Sequence, residues 1–494
     1  MRDVLVSRTL ALAALAGVAT ACGPTRYVRM GPPRTVDIVR IATFGNVGSW
    51  WDPVPRLVLP PAISSDALWA GYVVRVGDQF AVEVNGRTGK AYAGVFPGSI
   101  RVSPGGGVAY VAIDRGREQF AVVNGTEESR YESIDYFSVS ADGSHHVYRA
   151  RLGGMSMSGR YMDFQFLCVA DGEEGPPFDY VGMPVLSADG KHFAYAGRRN
   201  GRDTLLVDGH PVGKYDYVTQ VALSADGSRV AVVAGVGKAP EWHLKGQLFG
   251  LLPGVPALDK DVGKHRVVLD GVKSPEYDWA NPLQFSADGR RLAYTASSGG
   301  EQFVVVDGVE QPRHRAIGEG SFRFSPDSRR FCYGATHTGG WTLVVDGKEH
   351  PVDDVLAGPY FSPDSRHVAY VALERGNWQA YVDDEPRGQA RPPWWSLDNG
   401  IPPPPNQLAL TFSPDSEHIA YLAMGDAIFS RYVAIDGTTG DSIYGILPPV
   451  VFVTPRRVRY FTHRLGADGA NVLERIEEAL PDEPAPAPPA SADR

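Results

Sequence analysis

Short, continuous apolar runs separated by turn-forming sequences make up most of this chain. Phe303–Val306 and His367–Ala372 are typical runs, rich in β-branched and aromatic residues. Such runs predict β-strands, and their lack of polar alternation indicates strands that are covered on both faces. Two kinds of turn alternate between the runs. The first is Ser-Pro-Asp or Ser-Ala-Asp-Gly and the second is Asp-Gly, and both sequences favour tight turns. The pattern therefore predicts an all-β protein.

Both kinds of turn recur at a regular spacing. The first begins at Ser325, Ser362 and Ser413, with degenerate copies at Ser103, Ser140, Ser187, Ser224 and Ser286. The asparagine or aspartate of the second falls at Asn85, Asn124, Asp171, Asp208, Asp270, Asp307, Asp346, Asp383 and Asp436. Most of these steps are 37 or 39 residues. This period indicates a repeat architecture, with room for one four-stranded unit per step.

The Ser-Pro-Asp hairpins resemble the WD40-like repeats of bacterial β-propellers, a family similar to the propeller of the Tol-system translocation protein. The resemblance extends from about Ser64 to Arg475 and implies four-stranded blades arranged around a channel. It implies little about function, because propellers carry many unrelated activities. We expect no separate α/β domain ahead of the repeats, and in this the chain departs from the Tol protein.

The number of blades follows from the turns. Nine Asp-Gly-type turns indicate about nine units, within a range of eight to ten. The first unit lacks a clear Ser-Pro-Asp turn before Asn85, and a tenth begins at Val453–Pro455 if Arg457–His463 is a strand. Asn471 then favours the start of a short helix, with Val472, Leu473, Ile476 and Leu480 on one face. We expect this incomplete last unit to close the ring against the first blade.

These features divide the chain into four parts. We predict a signal peptide over 1–21, a lipidated N-terminus and lead-in segment over 22–63, and a single propeller over 64–475. The remaining residues, 476–494, are expected to form the end of the short helix and a disordered tail rich in proline and alanine.

The N-terminus carries the clearest signal for localisation. Basic residues, the apolar stretch Thr9–Ala19 and small residues follow one another, as in a secretory signal peptide. Ala19–Gly23 resembles a bacterial lipobox, which implies lipidation of Cys22. The alternative is an ordinary cleavage site with an incidental cysteine. The apolar stretch is too short for a transmembrane helix. We therefore expect a lipid-anchored protein of the bacterial cell envelope, periplasmic or outward-facing.

The other two cysteines bear on disulfide bonding, and the net charge bears on the class of partner. Cys168 and Cys332 fall in distant units, so we expect two buried free thiols rather than a disulfide. Removing Arg2, Asp3 and Arg8 with the signal peptide changes the formal net charge from −9 to −10. This acidity argues against nucleic acid as a partner. We expect a monomer.

Three insertions interrupt the regular units. Two lie between the second and third strands of the units that begin at Ser140 and Ser224, and the third follows the fourth strand of the unit at Ser362. In an up-and-down blade these connections emerge on the same face, so we expect all three insertions on one face. Loops on a rigid scaffold are a common place for binding sites.

The insertions are rich in aromatic residues, and their predicted binding face consists of Tyr161, Trp242, Phe249, Trp394 and Trp395. Such residues are enriched at protein interfaces, and adjacent tryptophans also stack on sugar rings. The alternative is that these loops fold back to plug the channel mouth or to cover blade edges.

Acidic residues recur after the Asp-Gly turn, at Glu132, Asp179, Asp216, Asp278 and Asp353. At equivalent positions of successive blades they would form a ring that attracts a cation or a basic peptide. The alternative is a turn-capping carboxylate that repeats because the unit repeats. We likewise expect Asp327, Asp364 and Asp415 to accept turn amides rather than to bind a metal.

The sequence contains none of the common catalytic signatures: no Gly-x-Ser-x-Gly elbow, His-Glu-x-x-His, Cys-x-x-Cys or EF-hand loop. Adjacent His145 and His146 point to opposite sides of a strand, which is poor geometry for a metal. We therefore predict a non-enzymatic scaffold, without cofactor or metal, that binds a cell-envelope protein. The alternative is a carbohydrate-binding or carbohydrate-cleaving propeller that uses the aromatic loops.

Overall fold

The computed structural model describes residues 35–44, 61–96, 98–153, 164–237, 239, 263–318, 320–337, 340–374, 377–390, 410–424, 430–440, 443–444, 446–465 and 471–479. Within these ranges every regular element is a β-strand, so none of them contains a helix able to cross a membrane. The strands form ten antiparallel sheets, each of which is one blade of a propeller. The prediction of an all-β propeller is confirmed, and its ten blades are at the upper end of the expected range of eight to ten.

We number the blades along the chain, except that β1 (Thr35–Phe44) belongs to blade 10. Blade 1 contains β2 (Ala62–Ile63), β3 (Ala70–Val76), β4 (Gln79–Val84) and β5 (Arg87–Tyr92). Blade 2 contains β6 (Gly94–Val95), β7 (Arg101–Val102), β8 (Val108–Ile113), β9 (Gln119–Val123) and β10 (Thr126–Tyr131). Blade 3 contains β11 (Ser133–Val139), β12 (His146–Leu152), β13 (Gln165–Ala170) and β14 (Glu173–Glu174).

The next four blades continue this order. Blade 4 contains β15 (Tyr180–Val181), β16 (Val185–Leu186), β17 (Phe193–Arg199), β18 (Arg202–Val207) and β19 (His210–Tyr215). Blade 5 contains β20 (Tyr217–Leu223), β21 (Val230–Gly235), β22 (His265–Leu269) and β23 (Val272–Lys273). Blade 6 contains β24 (Trp279–Phe285), β25 (Leu292–Ser298), β26 (Glu301–Val306) and β27 (Val309–Glu310). Blade 7 contains β28 (Ala316–Ile317), β29 (Arg323–Phe324), β30 (Phe331–His337), β31 (Gly340–Val345) and β32 (Lys348–Val352).

The last three blades complete the ring. Blade 8 contains β33 (Asp354–Phe361), β34 (Val368–Glu374), β35 (Asn377–Val382) and β36 (Glu385–Gln389). Blade 9 contains β37 (Leu410–Phe412), β38 (Ile419–Met424), β39 (Ser430–Ile435), β40 (Thr438–Thr439) and β41 (Ile443–Tyr444). Blade 10 contains β42 (Ile446–Thr454), β43 (Arg457–Leu465), β44 (Asn471–Ala479) and β1. Where a blade has an extra strand, its first or fourth strand is broken into two pieces.

The hydrophobic core lies between the blades. An apolar cluster occupies each of the ten interfaces, including the one at which blade 10 packs Phe461 and Leu473 against Tyr72 of blade 1. Near the axis, the first strands of successive blades contact each other, as β20 and β24 do. Because the second and third strands of each blade are covered on both sides, their sequences are largely apolar without alternation, as in β8 and β26. The ring is therefore closed.

The two repeated turns lie on the same face of the ring, which we call the turn face. In blade 7, Ser325 Oγ donates to Asp327 Oδ1 across 2.6 Å and accepts the amide of Arg330 across 2.9 Å. The second turn has positive φ at both central residues, 51° at Asp346 and 79° at Gly347, as a type I′ turn requires. The opposite face, which we call the loop face, carries the connections between second and third strands and between blades.

Blade 1 contains a first turn that is not evident from its sequence. Ser64 Oγ donates to Asp66 Oδ1 across 2.5 Å, and the amide of Trp69 donates to Ser64 Oγ across 3.0 Å. This is the geometry of the Ser-Pro-Asp turns, although the segment has neither the proline nor the glycine. The serine and aspartate alone therefore suffice to form it.

Blade 10 corrects the predicted ends of the propeller. Asn471–Ala479 is the strand β44 and not a short helix, so the predicted boundary at 475 is wrong. Its fourth-strand partner is β1, which lies within the predicted lead-in segment 22–63 and pairs with β44 from Thr35↔Ala479 to Phe44↔Asn471. The apolar positions of β44 also fit a helical face, and its pairing with β43 and β1 distinguishes the two structures.

The two cysteines agree with the sequence. Cys168 in β13 and Cys332 in β30 are buried and unpaired, as predicted. Cys22 and the rest of the predicted signal peptide and tail lie outside the described residues.

Candidate functional site

The long insertions begin and end on the loop face. They separate β12 from β13, β21 from β22, and β36 from β37, whereas only two residues join β25 to β26. The placement expected from the sequence is therefore found at the ends of the insertions. The predicted binding residues within them, Tyr161, Trp242, Phe249, Trp394 and Trp395, lie outside the described residues.

The predicted acidic residues occupy one equivalent position on the loop face, just before the first strand of their blades. The shared position is visible in the backbone, because Asp179 and Asp278 donate their amides to Arg198 and Ser297 of the second strand, each across 2.9 Å. In blade 7 the equivalent residue is Arg315, whose amide donates to Thr336 across 3.0 Å. The acidic row is thus interrupted by a cation.

Three of these carboxylates accept a backbone amide from the following hairpin. The donors are Asn200 to Asp179 at 3.2 Å, Gly237 to Asp216 at 2.9 Å, and Gly299 to Asp278 at 2.8 Å. This is the bonding of a turn-capping carboxylate. Some of these carboxylates also pair with a cationic side chain. Glu132 lies 3.1 Å from Arg151, and Lys264 together with the Gly299 amide lowers the pKa of Asp278. Attraction of a cation or basic peptide by this row stays a prediction.

On the turn face, side chains link one blade to the next. Arg330 donates from Nε to Asp346 Oδ2 of its own blade across 2.8 Å, and from Nη1 to the carbonyl of Arg366 in blade 8 across 2.6 Å. In addition, the amide of Asp327 donates to Ser365 Oγ of blade 8 across 2.9 Å. The turn face is therefore bonded across blade boundaries as well as packed.

The side chain that contacts the Asp-Gly aspartate varies around the ring. It is an arginine in blades 5 to 7 and a histidine in blades 3, 4, 8 and 9. His145 takes this role in blade 3, with Nδ1 2.7 Å from Asp171 Oδ2. The adjacent His146 is buried, and its Nε2 lies 2.7 Å from Glu128 Oε1. Among the described residues, no group of three or more His, Cys, Asp or Glu is arranged to hold a metal.

One buried charge stands outside the repeat pattern and was missed in the sequence. Arg149, in β12, is only 2% exposed. The other blades place small or apolar residues at its position, as with Val111, Ala196 and Leu422. Because a buried charge is costly unless it is paired, a single arginine at a core position of a repeat is a recognisable signal. Aligning the repeats on their Ala-Tyr pair would have revealed it.

Arg149 is held by one carboxylate, one carbonyl and three aromatic rings. Its Nη2 donates to Asp135 Oδ2 across 2.9 Å, and its Nη1 donates to the carbonyl of Val181 across 3.0 Å. The guanidinium lies 4.6 Å from the ring centroid of Tyr136, with Tyr180 at 5.0 Å and Phe166 at 5.2 Å. Burial raises the pKa of Tyr180 to about 12, and Arg149 opposes the shift. Nε is buried without a hydrogen-bond partner.

The strand that supplies Asp135 is irregular at this point. Its pairing with β12 shifts between Asp135 and Ser138, and Tyr136 has a φ of 54°. A positive φ is costly for a bulky residue, and such strain is often found at binding sites. A cavity of about 210 Å³ lies against this bulge, and its lining includes Phe96, Ser99, Arg101, Asp135, Tyr136 and Arg149. The lining contains two guanidinium groups and one carboxylate, and Arg149 is already bonded to Asp135.

No protein-family model matches the chain. No curated protein matches it either. Among solved structures, the chain is 14% identical to hydrazine synthase of Kuenenia stuttgartiensis, with a TM-score of 0.29 over 60% of this chain and 99% of that one. TolB from Acinetobacter baumannii is 11% identical, with a TM-score of 0.26 over 83% of this chain and 96% of that one. The β-propeller domain of the trilobed protease from Pyrococcus furiosus is 12% identical, with a TM-score of 0.28 over 59% and 96%. At this level the similarity concerns the fold class alone.

Proposed function

We propose that this chain is a lipid-anchored β-propeller of the bacterial cell envelope that acts as a non-enzymatic scaffold and binds a protein partner through its loop face. The observation that carries the proposal is the difference between the two faces of the ring. Turns on the turn face are short and bonded from blade to blade, whereas the three long insertions all begin and end on the loop face. Loops held by a rigid scaffold are the usual place for recognition.

The rigidity of the ring supports this role. An apolar cluster at every blade interface fixes the ends of the insertions relative to each other. Pre-organised attachment points reduce the entropy lost on binding a partner. Asp135 is the third residue of β11, which starts at the loop face, so the cavity beside Arg149 is near this face as well.

Affinity capture from detergent-solubilised native membranes tests the proposal. The bait is the tagged, full-length lipoprotein, compared with a variant in which all three insertions, 154–163, 241–262 and 391–408, are replaced by short Gly/Ser linkers. This variant leaves β22, β36 and β37 intact. We expect a protein partner that is retained by the natural chain and lost by the variant. The control is Arg329→Ser, an exposed position on the turn face, which should retain the partner.

Two results would contradict the proposal. Equal retention by all three proteins would show that the loop face is not the binding surface. Glycan binding on an array that is abolished by Trp394→Ala and Trp395→Ala, without any protein partner, would favour the carbohydrate-binding alternative. Circular dichroism of each variant shows whether it is folded before the comparison is made.

A further inference from the structure

The direction of the closing strand decides where a lipid anchor joins the ring. β1 pairs antiparallel with β44, so Thr35 lies beside Ala479 and Phe44 lies beside Asn471. β44 is the third strand of blade 10, and third strands run from the loop face to the turn face. Thr35 is therefore at the turn face and Phe44 at the loop face.

Independent contacts place the two ends of β1 in the same way. Ala479 also pairs with Arg457, the residue that starts β43 directly after the first turn of its blade. Two residues further on, Arg459 donates from Nη1 to the carbonyl of Asp66, within the first turn of blade 1, across 3.3 Å. The Thr35 end of β1 thus lies at the level of the repeated turns on both sides of the ring closure.

We propose that the acyl anchor on Cys22 joins the propeller at the rim of its turn face, so that the loop face is directed away from the membrane. This inference rests on the lipid anchor of the proposed function. Twelve residues separate Cys22 from Thr35. Fully extended, this tether spans at most about 45 Å. It enters the ring at the outermost strand of blade 10, and the chain reaches the loop face only after crossing the blade along β1.

The thickness of the ring then separates the loop face from the lipid surface. The second strand of blade 1, β3, has 7 residues. A strand of this length spans roughly 20 Å, so the loop face lies at least that far beyond the turn face. The partner that fits this orientation is a macromolecule that approaches through the aqueous compartment. A lipid headgroup, or the membrane-embedded part of a protein in the same bilayer, does not fit it.

A matched pair of labelling sites in blade 1, which adjoins blade 10, tests the orientation. Ser65 is exposed in the first turn, on the turn face, and Asp78 is exposed in the hairpin between β3 and β4, on the loop face. The full-length lipidated variants Ser65→Cys and Asp78→Cys receive a thiol-reactive fluorophore and are reconstituted into vesicles that contain a headgroup-attached quencher. Cys168 and Cys332 are buried and remain unlabelled. We expect the quenching constant at Ser65 to exceed that at Asp78 severalfold.

Flotation of a chain that lacks residues 1–22 with the same vesicles separates the two ways in which the inference can fail. If this shortened chain still floats with the vesicles, the anchor of the proposed function is wrong, and the orientation falls with it. If only the natural chain floats, but the Asp78 label is quenched as strongly as the Ser65 label or more strongly, the orientation alone is overturned. Stronger quenching at Ser65, together with loss of flotation in the shortened chain, supports both.

Discussion

Arg149 donates from Nη2 to Asp135 Oδ2 across 2.9 Å. At the position of Arg149 the other blades have only small or apolar side chains. The arginine side chain is 3% exposed and the aspartate side chain 39% exposed, so the buried partner is the cation. Removing the carboxylate that pairs with a buried cation destabilises a protein far more than replacing the cation itself with an apolar residue. This asymmetry gives the first prediction.

Asp135→Ala should destabilise the protein more than Arg149→Leu, which introduces the residue that blade 9 has at this position. We expect a loss of roughly 2–4 kcal/mol for Asp135→Ala, below the value for a fully buried pair because Asp135 is partly in water. The double variant should be about as stable as Arg149→Leu alone. Urea unfolding measures all three, and additive losses would show that the two residues are not coupled.

If Arg149→Leu is as stable as predicted, the arginine is retained for a role other than stability. The folded variant can then replace the natural chain in the capture experiment. Loss of the partner from Arg149→Leu would place the cavity in the binding surface, whereas full retention would restrict binding to the insertions.

The serine that follows the Ser-Pro-Asp turn should tolerate glycine better than alanine. Ser365 has a φ of 67°, and its Oγ accepts the amide of Asp327 from the neighbouring blade. Both substitutions remove this hydrogen bond, at a cost of about 1 kcal/mol. Glycine also relieves the backbone strain, so it should recover roughly as much as the lost bond contributes. Thermal unfolding should rank Ser365→Gly close to the natural chain and Ser365→Ala below it, and the reverse order would exclude strain at this position.

Replacement of His192 should alter the pH dependence of stability. The hydrogen bond to Asp208 Oδ2 holds the pKa of His192 above its usual value near 6.5. A group whose pKa is raised by folding stabilises the protein fully below its unfolded pKa, and this contribution is lost as the pH rises through the folded pKa. His192→Arg, which copies the arginines of blades 5 to 7, keeps its charge throughout. Urea unfolding between about pH 5.5 and 8.5 should therefore show less decline for the variant than for the natural chain. Identical curves would contradict the coupling.

Proline substitutions in β1 should reveal the closure of the ring. Ile38 and Val39 pair with Ile476 and Arg475 in a regular part of the β1–β44 ladder. Because β1 is an edge strand, alternate amides bond to β44 or face away, and proline removes the bond at only one of two neighbouring positions. Ile38→Pro and Val39→Pro should thus differ clearly in Tm. Two unchanged Tm values would mean that this strand does not contribute to stability.

The two cysteines in the core should be inert in the folded protein. Burial raises the pKa of the Cys168 and Cys332 thiols, so little thiolate forms at neutral pH. We expect no reaction with a thiol reagent under native conditions and reaction of both in denaturant. Modification of the folded protein at neutral pH would show that one of these strands opens locally.

The sequence determined the blades because their signals are local. A serine and an aspartate two residues apart form the first turn, as Ser64 and Asp66 do even without proline or glycine. The Asp-Gly pairs at positive φ form the second turn, and the apolar runs between them can only be strands covered on both sides. The same up-and-down order placed the ends of all three insertions on one face. Arg149 was also within reach of the sequence, since it breaks a pattern that the other blades share.

The tertiary structure decided what depends on distant pairing. The residues of β44 suit a helix or a strand equally well, and only pairing with β43 and with β1, which is more than 400 residues away, selects the strand. The pairing with β1 completes the tenth blade and sets the face at which the N-terminal tether enters. The contacts of Arg149 with Tyr180 and Val181 likewise arise from the packing of blade 4 against blade 3. Local patterns cannot show these features, because they exist only once the ring is closed.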